Sequence, residues 1–151
     1  MGQRQNGRRE DYMRQIDFIF YREQEIREAV FRAKRNSPLT SSFVVAREGK
    51  LSDPTAILAV SNLTPLRSVI TNDGDEIQRP EQWLEVIDKT YNYCGKCDDC
   101  RLEVARRRYR REDYRITCTE LGISDTTRRR LLELVKIYAA LKAVQLGLIE
   151  V

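Results

Sequence analysis

Short polar side chains and arginines are concentrated at the start of a predicted helix near the carboxy terminus. The run comprises Ser124, Asp125, Thr126, Thr127, Arg128, Arg129 and Arg130. Hydroxyl and guanidinium groups hydrogen-bond to phosphates and to base edges, and one arginine can bind a guanine through two hydrogen bonds. These residue types therefore predict contacts with double-stranded DNA.

The residues before this run predict the turn that would present it. Gly122 can end a helix with positive φ, Ile123 can fill the corner, and Ser124 can cap the next helix. We expect Cys118 to be the small residue where the two helices cross. The order of residue types from Arg115 to Leu141 is typical of a helix-turn-helix, whose second helix enters the major groove. The alternative is an ordinary corner between two packed helices, with the arginines solvated.

Arg128 departs from this pattern, because its position is usually apolar in the motif. An apolar stripe follows it, starting at Leu131 and ending at Leu141. We expect the aliphatic part of the Arg128 side chain to lie along the protein surface, so that its guanidinium reaches solvent or contacts a phosphate.

Charge is distributed unevenly along the chain, whose formal net charge is +4. Residues 1–50 hold 11 Lys and Arg against 7 Asp and Glu, residues 51–100 hold 4 against 9, and residues 101–151 hold 12 against 7. A basic carboxy-terminal third suits attraction to DNA phosphates. Within it we expect Arg107, Arg108 and Arg111 to contribute phosphate contacts, the alternative being a solvated helix face.

The sequence offers little for catalysis. It has no histidine, and its seven glycines do not follow the spacing of a phosphate-binding loop. An enzyme is therefore not expected, and no cofactor is predicted.

Four cysteines raise the question of a metal site. Cys94, Cys97 and Cys100 are clustered, and Cys118 is the only remaining thiol that could complete a tetrahedral zinc site. A redox dithiol formed by Cys94 and Cys97 is a second alternative. We favour free thiols at a helix junction, because two separated C-x-x-C pairs are absent from the sequence.

Periodicity predicts a mainly α fold. Residues 9–35 read as one long helix, and an apolar stripe lies along it: Ile16, Ile19, Ile26, Val30 and Ala33. A stripe about 40 Å long exceeds what a small core covers, so it predicts contact with another chain or with another segment, and we expect a homo-oligomer. Glu23 on the same seam favours an antiparallel or intertwined pairing. The alternative is a core helix with frayed ends.

Shorter elements are predicted after this helix. A loop at 37–51, with a short strand as the alternative, and a helix at about 52–63 precede Asn72-Asp73-Gly74. This tight-turn signal is compatible with a small β-hairpin between 67–70 and 76–78, and the alternative is an irregular loop. Further helices are predicted from about 80, with Trp83 as a core residue, at about 98–110 and at about 113–121. The segments are a basic arm (1–50), an acidic middle (51–93) and a helix-turn-helix region (94–151).

No run of about 18 apolar residues occurs, and the first residues lack the apolar core of a secretion signal. We therefore expect a cytoplasmic protein that has no membrane partner.

Three segments of the chain resemble phage late transcriptional activators of the RinA and ArpU type. They are PEQWLEVIDKTY, LEVARRRYRR and ELGISDTTRRRLLELVKIYAALKA, and the last is also similar to DNA-reading region 4 of sigma factors. The resemblance covers roughly residues 79–146, and Arg128 and the Cys94–Cys100 insert depart from it.

The resemblance implies a sequence-specific regulator of a late operon, such as packaging or lysis. It maps the DNA-reading positions onto Asp125, Thr126, Thr127, Arg129 and Arg130. Two alternatives are a sigma-like factor whose acidic middle binds RNA polymerase, and a small phage packaging or assembly protein that binds DNA or protein without sequence specificity.

Overall fold

The computed structural model describes residues 2–36 and 65–150. These residues form a mainly helical structure with one small sheet, as predicted. Its elements are α1 (Gly2–Tyr21), α2 (Glu23–Arg35), β1 (Ser68–Ile70), β2 (Glu76–Gln78), α3 (Pro80–Gly95), α4 (Arg101–Tyr109), α5 (Tyr114–Leu121) and α6 (Asp125–Gln145). The predicted loop at 37–51 and helix at about 52–63 lie outside the described residues. Within the described ranges, no helix is long and apolar enough to cross a membrane.

The chain divides into two compact units whose boundaries differ from those of the three sequence segments. The first unit comprises residues 1–23 and 85–151, and the second comprises the described residues between 24 and 84. In the first unit α1 packs against α4 and α6. The amino-terminal helix therefore belongs with the carboxy-terminal helices.

The amino-terminal helix is not continuous, contrary to the prediction for residues 9–35. It ends at Tyr21, and α2 begins at Glu23. The amide of Arg22 donates to the Ile19 carbonyl at 3.1 Å, while its guanidinium donates to the Phe18 carbonyl at 3.2 Å and lies 3.8 Å from the Phe18 ring centroid. A side chain that satisfies a helix-terminal carbonyl stabilises the break without Gly or Pro.

The apolar stripe of these helices is largely covered within the chain itself. Ile16 and Ile26 are fully buried, and Ile19 is 3% exposed. Val30 and Ala33 are partly buried. Another segment of the same chain therefore covers much of the stripe, and the homo-oligomer stays a prediction. The alternative of a core helix describes this part of the sequence better.

The second unit contains the predicted hairpin. β1 and β2 pair antiparallel, with buried Val69 opposite buried Ile77, and Gly74 in the turn has φ +85°. Trp83, 4% exposed, is a core residue as predicted. Lys34 forms an ion pair with Glu81, whose other carboxylate oxygen accepts from an amide of the same unit.

The core of the first unit lies between α3, α4 and α6. One cluster contains Cys94, Ala105 and Val135, and a second contains Val104, Leu131 and Leu132. On α5 the buried side chain is Thr117, whereas Cys118 is only partly buried. The buried position on α5 is therefore one residue before the position expected at the crossing, and a one-residue step rotates a helix by about 100°.

Candidate DNA-binding surface

The turn between α5 and α6 has the local geometry that the sequence predicts. Gly122 is left-handed, with φ 65°, and the amide of Ile123 donates to the Cys118 carbonyl at 3.1 Å. Ser124 caps α6, since its hydroxyl accepts from the Thr127 amide at 3.1 Å. Ile123 packs against the cluster around Leu131. The start of α6 is therefore fixed by its caps and by the core.

The surface of α6 divides cleanly into a buried and an exposed face. Leu131, Leu132 and Val135 are buried. The exposed face comprises Thr126, Thr127, Arg129, Arg130, Glu133, Ile137, Leu141 and Gln145. Its first two turns are polar and basic, and two exposed apolar side chains, Ile137 and Leu141, lie further along the helix. Among the described residues, no hydrogen bond or ion pair engages Arg130.

Asp125 is held by two arginines one helical turn away. Its Oδ1 accepts from Arg128 Nε at 2.9 Å and Nη2 at 2.8 Å, and its Oδ2 lies 2.9 Å from Arg129 Nε. The Arg129 side chain remains 74% exposed. The acidic residue therefore orients Arg129 while it neutralises Arg128, and it does not present a free carboxylate.

Arg128 neither reaches solvent nor has an open guanidinium. The residue is 8% exposed, and its guanidinium lies 5.3 Å from the Tyr114 ring centroid in addition to its pairing with Asp125. The expectation that this side chain would extend to solvent is wrong. An arginine replaces the usual apolar residue here because a local carboxylate and an aromatic ring satisfy its charge.

Arg107 is the centre of an ion-pair network that joins α4 to α5. Its Nε is 3.0 Å from Glu103, its Nη1 is 3.4 Å from Glu112, and the same Nη1 also pairs with Glu120. Three carboxylates surround one guanidinium. This arrangement favours a role for Arg107 in holding the two helices together.

Arg108 and Arg111 differ from Arg107, because within the described residues neither has a carboxylate partner. The Nε of Arg108 is buried without a hydrogen-bond partner in that part of the chain, and the guanidinium lies 5.8 Å from the Tyr21 ring centroid. Arg111 is exposed, has φ 62°, and lies 4.6 Å from the same centroid. Both retain uncompensated positive charge.

The four cysteines do not converge. All are free thiols, Cys94 is buried, and the described residues include no group of three Cys, Asp or Glu side chains arranged to hold a metal ion. Burial, followed by the neighbouring Cys97, raises the pKa of the Cys94 thiol to about 11. Cys97 donates to the Tyr93 carbonyl at 3.5 Å.

The contribution of α1 to this surface was not predicted from the sequence. Asp17 accepts from the Tyr109 hydroxyl at 2.8 Å and from Lys136 Nζ at 2.7 Å, so one carboxylate links α1, α4 and α6. Burial, followed by the Asp17 charge, raises the pKa of Tyr109 well above its ordinary value. Nearer the amino terminus, Arg9 forms an ion pair with Glu133 on the exposed face of α6.

Comparisons of the chain with protein-family models, with curated proteins and with solved structures gave no significant match.

Proposed function

We propose that the protein is a sequence-specific, double-stranded DNA-binding transcriptional regulator that uses α5 and α6 as a sigma region 4-like helix-turn-helix. The observation that carries the proposal is the exposed, basic beginning of α6 after a capped turn. A helix that buries its rear face and exposes hydroxyls and guanidinium groups at its amino end is suited to the major groove.

Within this surface, base reading and phosphate binding fall to different residues. Arg130 and Arg129 extend from the exposed face and can reach base edges, with Thr126 one turn before them. Ser124 and Thr127 are engaged in the helix cap, so they position the helix. Arg128 is buried and pairs with Asp125, so it stabilises the start of α6.

The target we propose is a late operon of a phage or prophage, such as packaging or lysis. This part rests on the resemblance to activators of the RinA and ArpU type. The basic flank of α4 adds sequence-independent attraction to the DNA backbone.

A second candidate function, protein binding during transcription or assembly, is favoured by one observation. Ile137 and Leu141 continue the exposed face of α6 and are 44% and 53% exposed, beside a stacked pair formed by Tyr93 and Tyr138 with ring centroids 4.0 Å apart. Exposed apolar side chains grouped in this way are typical of protein contacts. Under this second candidate function, the proposed partner is RNA polymerase.

Selection of bound duplexes from a random pool tests the main proposal. The full chain should enrich one sequence, and Arg129→Ala and Arg130→Ala should each weaken binding to that sequence about tenfold, because a bidentate arginine–guanine contact contributes about 1–3 kcal/mol of discrimination. Lys142→Ala is the matched control, since it removes one positive charge from the same helix about 18 Å further along.

Enrichment of no sequence would reject the regulator and leave the assembly candidate. If Lys142→Ala loses as much affinity as the two arginine variants, their effect comes from net charge and not from base contacts. Capture of purified RNA polymerase in the absence of DNA, abolished by Leu141→Glu, would favour the second candidate.

A further inference from the structure

A basic groove runs between α1 and α6 within the first unit. Its volume is about 750 Å³, and its lining includes Arg9 and Arg14 from α1, Arg108 from α4, and Arg129 and Lys136 from α6. Because Arg129 also belongs to the exposed face of α6, the groove adjoins the surface proposed to enter the major groove.

The charges in the groove are only partly compensated. Six cationic side chains and three acidic ones line it. Asp17 is paired with Lys136 at 2.7 Å, and Glu133 is paired with Arg9. Among the described residues, Arg14 has only a long contact of 4.0 Å with Glu10, and both side chains are largely exposed. The groove therefore has a net positive charge centred on Arg14 and Arg108.

Arg108 lies where this groove meets a second cavity of about 350 Å³, which is also lined by Tyr114 and Arg115 at the start of α5. Its Nε is buried and has no hydrogen-bond partner among the described residues. The side chain as a whole is partly exposed and lines the groove, and a phosphate oxygen is the acceptor that a guanidinium fits best. The cationic side chains that line the two cavities therefore extend from α1 to α5.

Arg9 on α1 forms an ion pair with an acidic residue on α6, Glu133. Glu133 is the acidic residue on the otherwise basic exposed face of α6, and a bare carboxylate there would repel DNA phosphates. Arg9 neutralises it from α1. The amino-terminal helix therefore corrects the charge of the surface in addition to supplying cations of its own.

We propose that the groove between α1 and α6 binds the phosphodiester backbone of the DNA strand flanking the major groove, with Arg14 and Arg108 as phosphate contacts and Arg9 masking Glu133. This inference rests on the proposed function and adds a contact element outside the helix-turn-helix. It assigns the amino-terminal helix to DNA binding instead of self-association.

The test measures DNA affinity of the full chain as a function of salt for Arg14→Gln and Arg108→Gln. Each lost phosphate contact lowers the slope of log K against log salt by about 0.9, so a fourfold increase in salt should weaken the wild type about 3.5-fold more than either variant. Both variants should retain the wild-type preference for the selected sequence over a scrambled duplex. Lys96→Gln, an exposed charge outside both cavities, should keep the wild-type slope.

The outcomes separate this inference from the proposed function. Sequence-specific binding by the wild type, with slopes of both variants equal to that of Lys96→Gln, overturns the groove proposal alone. No sequence preference in the wild type overturns the proposed function. Arg14→Gln, an exposed substitution, keeps the test decisive if Arg108→Gln fails to fold.

A competition experiment tests whether the groove binds free phosphate instead of the DNA backbone. Inorganic phosphate, added at constant ionic strength, should neither raise the melting temperature of the wild type nor displace the duplex. Stabilisation of the wild type by millimolar phosphate that Arg108→Gln loses, with DNA salt slopes unchanged, would identify a small-anion site and overturn the DNA-backbone assignment.

Discussion

Asp17 makes the contacts that fix α1 across the carboxy-terminal helices, and its replacement by Asn should measurably destabilise the protein. The substitution preserves shape but removes the charge that faces Lys136 at 2.7 Å and the Tyr109 hydroxyl at 2.8 Å. A hydrogen bond to a charged group contributes about 1.5–3 kcal/mol, and breaking a buried ion pair costs about 3–5 kcal/mol. The Lys136 and Asp17 side chains remain 16% and 23% exposed, so solvent reduces the loss. We expect Asp17→Asn to lower the free energy of unfolding by about 2 kcal/mol.

Urea denaturation followed by far-UV circular dichroism measures this loss. With a denaturant dependence of about 2 kcal/mol per M, the midpoint should fall by about 1 M. Asp11→Asn is the matched control, because Asp11 lies on the exposed side of the same helix, and its midpoint should stay within about 0.25 M of the wild type. If the two variants shift equally, the carboxylate of Asp17 does not hold α1 in place, and the account of the groove loses its support.

Three further predictions concern the turn, the paired arginine and the thiols. Gly122→Ala places a side chain at φ 65° and should cost about 1 kcal/mol in urea denaturation; unchanged stability would contradict the left-handed turn. Asp125→Asn leaves the buried Arg128 without its carboxylate and should cost about 1–3 kcal/mol, whereas a neutral result would show that Arg128 needs no partner. Alkylation of the native protein at pH 8, read by mass spectrometry, should modify Cys97 and spare Cys94, which is 1% exposed and has its pKa raised to about 11; fast modification of Cys94 would exclude this packing.

Features set by neighbouring residues were predictable from the sequence. Gly122 and Ser124 have strong local conformational preferences, and their turn and cap appear where expected. Asn72-Asp73-Gly74 likewise predicted the hairpin, because its turn needs a residue that tolerates positive φ. Local propensity determines both features, so no knowledge of distant contacts was needed.

Features set by tertiary contacts were not predictable. The helix break at Arg22 is a separate case: its guanidinium contacts the carbonyl and the ring of Phe18, four residues earlier, but the segment has no Gly or Pro by which a break is recognised in a sequence. The burial of Ile16 and Ile26 depends on which part of the chain covers them, and periodicity gives only the stripe. Periodicity alone therefore does not show whether the same chain or another one covers the stripe.

The candidate site shows this limit most clearly in two adjacent arginines. In the sequence, Arg107 and Arg108 are equivalent members of one basic run. In the structure, three carboxylates from α4, α5 and the residues between them surround Arg107, whereas Arg108 faces the groove with its Nε unpaired among the described residues. A cation already matched by several carboxylates gains little from a phosphate, because each new contact must displace an existing one, and an unmatched cation gains the whole interaction. The number of carboxylates near each guanidinium, which is decided by helix packing, therefore determines which arginines of a basic run can bind DNA.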